Sequence, residues 1–85
     1  MNFNIAKRDP DFRLNLLMID IGDISKMIGY TFKIIDFLGK VVFETIINQP
    51  IIDLDLNAIG GRGTYFVQVI DNSSQIMEIE KITLP

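Results

Sequence analysis

The 85-residue chain contains no cysteine, no histidine and no tryptophan. Without cysteine it has neither a disulfide framework nor a thiolate metal site, and cysteine usage says nothing of its compartment. Without histidine there is no imidazole ligand, no histidine base and no Ser-His-Asp triad. Alanine is scarce too, with two residues against sixteen isoleucines. Isoleucine is stiff at its first side-chain torsion and packs well on a pleated surface, whereas alanine is the best helix former, so the bias points to a β protein. Long apolar runs are missing: the longest is Leu16-Leu17-Met18-Ile19, far short of the ~20 residues that span a membrane as a helix. The start of the chain, Met1 to Arg8, has neither a continuous apolar segment nor a small-residue cleavage site, so it does not read as a secretory signal peptide. The expectation is a chain not exported by that route, or a fragment of something larger.

What is present is enough for one thin core. The chain is 48% hydrophobic and 22% charged, which is not the composition of a disordered tail. A net charge of −3 and a pI near 4.6 argue against a dedicated nucleic-acid binder, which needs a basic face.

Alternation of apolar and polar residues places the strands. Residues 1–11, polar and ending in Asp9-Pro10-Asp11, read as a loop or loose lead-in, because proline fixes its own φ and extends the residue before it. Phe12, Leu14 and Leu16 alternate with Arg13 and Asn15, the period-2 mark of a half-buried strand. Residues 24–28 fit a short helical turn or an irregular edge. Residues 30–47 read as a hairpin: Tyr30, Phe32 and Ile34 share a face, Phe37-Leu38-Gly39 turns, and a strand resumes at Lys40. Asn48-Gln49-Pro50 breaks it. Ile52, Leu54 and Leu56 alternate with Asp53 and Asp55. Gly60-Gly61-Arg62-Gly63 is a flexible turn, and Tyr65 to Ile70 is apolar on both faces, as expected of a central strand buried on both sides. Asp71-Asn72-Ser73-Ser74 is a turn cluster, and a last strand places Ile76, Ile82 and Leu84 inward with Glu78, Glu80 and Lys81 solvated. Six to seven antiparallel strands with turns every 8–12 residues predict a single all-β domain over residues 1–85, an immunoglobulin-like β-sandwich; a small open barrel is the competitor.

Chemistry is scarce, and the reading is a non-enzyme without cofactors. Asp9 with Asp11, in a loop able to wrap an ion, and Asp53 with Asp55, two apart on a strand, are the candidates for calcium. The solvated side of an alternating strand accounts better for such spacing, and no EF-hand pattern is present. The glycine cluster lacks the lysine and Ser/Thr of a phosphate loop and precedes a strand. Phe32, Phe37, Phe43, Tyr65 and Phe66 are not interleaved with cations, so they read as core rather than a base-stacking platform. Tyr65 suits a hydroxyl bond to backbone across a sandwich. Ser25, Ser73 and Ser74 have no base to activate them.

An ordered set of short motifs remains. Residues 30–42 run as an apolar strand, then Asp36, two residues, Gly39, Lys40 and Val41; Asp55-Leu56, Gly63-Thr64-Tyr65-Phe66-Val67 and Lys81-Ile82 follow in order. This set resembles the C-terminal sorting domain of the type IX secretion system, found on exported proteins of the Bacteroidetes. The resemblance covers residues 30–84 in order and spacing, and more loosely Phe12 to Leu16. It implies a seven-stranded immunoglobulin-like sandwich that labels cargo for the cell surface, is recognised by the outer-membrane translocon or its shuttle component, and is often cleaved when the cargo is attached to lipopolysaccharide. The matching residues are Asp36, Gly39, Lys40, Gly63, Tyr65 and Lys81. Most of these are expected to serve the turns, and Lys40 and Lys81 to serve recognition. A second reading is a stand-alone structural subunit, such as a phage virion or fibre protein, located in a virion or cytoplasmic assembly. A third is a carbohydrate-binding sandwich, disfavoured by the missing tryptophan.

Overall fold

In a computed structural model, residues 4–7 and 16–84 are described, the first four as backbone only. The described residues form seven strands: β1 (Asn4–Lys7), β2 (Leu16–Asp20), β3 (Thr31–Asp36), β4 (Val41–Ile46), β5 (Ile51–Asp55), β6 (Gly63–Ile70) and β7 (Ile76–Leu84). One four-residue helix, α1 (Leu56–Ile59), joins β5 to β6. The strands form two antiparallel sheets, ordered β1-β2-β5 and β4-β3-β6-β7. Period-2 patterning explains their stacking. Leu17 and Ile19 of β2 and Ile52 and Leu54 of β5 meet Phe32 and Ile34 of β3, Val67 and Val69 of β6, and Ile82 and Leu84 of β7 in one core. Ile21, Ile24, Ile47, Leu56, Ile59 and Tyr65 close its ends. This is the expected all-β, immunoglobulin-like sandwich. Among the described residues, no helix is long and apolar enough to cross a membrane.

Several details differ from the sequence reading. The lead-in over residues 1–11 contains a strand: β1 pairs with β2 from Asn4↔Asp20 to Lys7↔Leu17. Polar residues at an outer strand hide the pattern, because ladder hydrogen bonds need only backbone. The expected strand start at Phe12 and Leu14 falls outside the described residues. Residues 24–30 settle as consecutive turns, with Met27 N donating to Ile24 O at 2.8 Å and Tyr30 N to Met27 O at 3.0 Å. Leu56 is buried as expected, but it opens α1 instead of ending β5. The Asp55 side chain accepts from Asn57 N as N-cap, and Gly60, at φ 111°, is the C-cap. β6 is inner within its sheet but buried on one face only: Tyr65, Val67 and Val69 point inward, while Phe66, Gln68 and Ile70 are half-buried on the outer side.

On β7 the inward set is Glu78, Glu80, Ile82 and Leu84, because these oppose Val69, Val67, Tyr65 and Gly63. A register shift between Val69 and Ile70 leaves Met77 without a partner and turns Ile76 outward. Ile76 is therefore exposed, and Glu78 and Glu80 are half-buried rather than solvated.

Candidate functional site

The six residues singled out from the sequence come together at one end of the four-stranded sheet. Asp36 and Tyr65 are register partners on β3 and β6; Gly63 pairs with Leu84, and Lys81 pairs with Phe66. Gly39 and Lys40 belong to the loop between β3 and β4.

That loop is built around Asp36. Its Oδ1 accepts from Leu38 N and Lys40 N, both at 2.9 Å. Asp36 N donates to Lys40 O at 2.8 Å, and Gly39 N donates to Asp36 O at 3.0 Å. Gly39 sits at φ 90°, where a side chain is strained, though a Cβ there would meet nothing within 4 Å. The β6–β7 loop repeats the plan. Asp71 Oδ1 accepts from Ser73 N at 2.8 Å and Gln75 N at 2.9 Å, Asp71 N donates to Gln75 O at 2.9 Å, and Ser74 N donates to Asp71 O at 3.1 Å. Ser74 takes the glycine's place at φ 66°.

Tyr65 anchors the corner ahead of β6. Its hydroxyl donates to Gly61 O at 2.7 Å, with Ile59 O at 3.4 Å, and its ring is buried. This is the tyrosine corner of immunoglobulin-like sandwiches. Gly61 N donates to Leu56 O, so α1, the glycines and Tyr65 form one bonded corner. Asp36, Gly39 and Tyr65 thus hold a turn and a corner, and Gly63 follows the corner at φ 145°, while Lys40 and Lys81 are exposed.

The aromatic residues divide. Phe32 is fully buried and meets Phe43 edge-on at 6.4 Å. Phe37, expected in the core, is instead 73% exposed and stacks on Phe66 at 6.5 Å and 24° on the outer face. A loop tip has no second sheet to cover it. Next to it Leu38 is 92% exposed. Phe37, Leu38, Arg62, Gly63 and Tyr65 line one shallow depression. From the sequence, Leu38 and Arg62 read only as turn residues. The available signal was two consecutive apolar residues in a tight turn, where polar residues are the norm.

Among the described residues no three metal-ligating side chains cluster. Asp53 and Asp55 lie on the exposed side of β5, with Asp55 capping α1. Asp9 and Asp11 lie outside the described residues.

The family model for the secretion system C-terminal sorting domain matches residues 14–84, and the chain belongs to that family. No curated protein matches the chain. No solved structure matches it either. Sorting domains of this family are non-catalytic in general, and their place is on exported cargo that ends up secreted or at the cell surface.

Proposed function

We propose that this chain is the address label of a protein exported through the type IX outer-membrane translocon, recognised by that translocon or its shuttle component. One observation carries the reading. Residues scattered along the matched region converge at one end of the sandwich, where four are consumed by turn and corner geometry and Lys40 and Lys81 are left exposed. Side chains that the fold does not need, held on a rigid platform, suit recognition by a protein partner. The virion or fibre subunit and the carbohydrate-binding sandwich gain no support from the family match.

The test is to place the chain behind a soluble reporter directed to the periplasm of a type IX-competent bacterium. Transport of the reporter to the surface or medium is expected, and its loss in a translocon-deficient strain. A reporter that stays periplasmic in both strains overturns the reading. Lys40→Glu and Lys81→Glu are expected to reduce transport while leaving the far-ultraviolet β spectrum unchanged.

A further inference from the structure

The two Asp-centred loops are an internal control on each other. Both close with the same four hydrogen bonds around an aspartate, at Asp36 and at Asp71. The β6–β7 loop closes with Asn72, Ser73 and Gln75 where the β3–β4 loop has Phe37, Leu38 and Lys40. The turn therefore does not require an apolar pair or a cation. Yet Leu38 stands 92% exposed and Phe37 73% exposed.

The surroundings are cationic. Lys40, Arg62 and Lys81 are exposed, and no ion pair among the described residues engages them. Lys81 sits opposite Phe66, on which Phe37 stacks, and Arg62 shares the depression with Phe37 and Leu38. Lys40 adjoins Val41, which pairs with Ile35 at the far end of the same cross-strand row. The row spans three strand spacings, about 14 Å. Of the carboxylates near the tip, Asp36 is bonded into its loop and Glu80, next to Lys81, points inward opposite Val67, whereas Asp20, Asp53 and Asp55 lie on the outward side of the other sheet. A chain of net charge −3 thus gathers cations around the most exposed apolar pair among its described residues.

We infer that the Phe37–Leu38 tip, with Lys40, Arg62 and Lys81 around it, is a docking wedge for a protein partner bearing an apolar pocket with an acidic rim. The inference rests on the sorting reading and names the epitope for it. Charge complementarity selects the rim, and the adjacent aromatic and leucine select the pocket. An anionic membrane is the poorer occupant. Three cations fall short of the roughly four to eight of polybasic lipid-binding segments, and the remaining acidic surface would be repelled.

The experiment titrates the whole chain against the purified shuttle component of the type IX translocon, followed by fluorescence anisotropy. Grafting the other loop's residues, F37N/L38S, is expected to weaken binding at least tenfold. Arg62→Glu should weaken it several-fold and flatten its salt dependence, and the reverse graft N72F/S73L should leave it unchanged. Phe37 touches Phe66, so Leu38→Asn alone, at a side chain that is almost wholly solvated, separates binding from folding and should still weaken binding measurably. Wild-type affinity in both F37N/L38S and Leu38→Asn overturns the epitope while the sorting reading stands. No binding by the wild-type chain overturns both. Binding to anionic phosphatidylglycerol vesicles that is lost in F37N/L38S, with shuttle binding retained, replaces the protein partner by a membrane and overturns the inference.

Discussion

At the residue scale, one conformational requirement is met in two ways. Both Asp-centred loops need a residue at positive φ; Gly39 supplies it at 90° and Ser74 at 66°. A non-glycine residue in the left-handed region is strained by roughly 1–2 kcal/mol. Gly39→Ser should therefore cost about 1 kcal/mol, since the space around a Cβ there is empty and only backbone strain opposes it. Ser74→Gly should be neutral or stabilise by up to about 0.5 kcal/mol, because relief of strain is partly offset by the greater freedom of glycine in the unfolded chain. Urea unfolding of the two variants checks both signs, and equal destabilisation would refute the equivalence of the loops. Gly39 was legible as the glycine of a turn, and Asp36 through the family motif it resembles. The Asp71 loop was legible only as a turn, because a serine at positive φ leaves no mark in the sequence. A third aspartate behaves similarly: Asp23, fully solvated, accepts from Ser25 N at 2.9 Å, and this bond, helped by the Ser25 hydroxyl, holds its carboxyl below the ordinary 3.8. A depressed acid adds stability above its unfolded-state value and loses it as pH falls through its folded one. A carboxyl titration followed by NMR should show the Asp23 midpoint below 3.8, and in Asp23→Asn the small loss of stability on acidification below that value should shrink.

At the element scale, the corner between β5 and β6 concentrates the stability that a thin core lacks. Leu56 and Ile59 on α1 are buried, Gly60 caps the helix, and the Tyr65 hydroxyl bonds Gly61 O. Tyr65→Phe keeps the ring and removes the bond, leaving that carbonyl short of its donor. A loss of about 1–1.5 kcal/mol is expected, measurable as a lower urea midpoint with an unchanged slope. A change below the error of that measurement would mean that water replaces the hydroxyl. The hydroxyl's role was readable from the sequence, since a tyrosine in the penultimate strand is a known corner device. The helix was not, because Leu56 continues the period-2 pattern of β5 and a four-residue helix is too short to show a period of 3.6. β1 was missed for a related reason: its membership in the sheet is a matter of backbone pairing with β2, which composition does not report.

At the scale of the whole molecule, the outer edge of the four-stranded sheet combines two opposed demands. Among the described residues β7 is the outer strand of the order β4-β3-β6-β7, and Ile76 and Ile79 on its outward side are more than half exposed. An unpaired edge with apolar side chains invites another strand, and an inward-pointing charge is one of the ways natural sheets discourage that. Glu80 points inward opposite the fully buried Val67, and its Oε2 is buried without a hydrogen-bond partner. Reading Glu78 and Glu80 as solvated missed this, because they share the parity of the buried Ile82 and Leu84 and period 2 turns all four to the same side, while the register shift at Met77 moves only Ile76 outward. A buried polar atom without a partner costs roughly 1–3 kcal/mol, so Glu80→Leu should raise the stability of the isolated chain by about 1 kcal/mol or more. The same change removes the charge that keeps the edge single, and concentration-dependent self-association should rise with it. Urea unfolding at low concentration and sedimentation velocity at high concentration read the two effects separately. Higher stability with greater association is the expected pair. A less stable, still monomeric variant would mean that the carboxylate is held by ordered water, and that the edge is guarded by the bulge at Met77 rather than by Glu80.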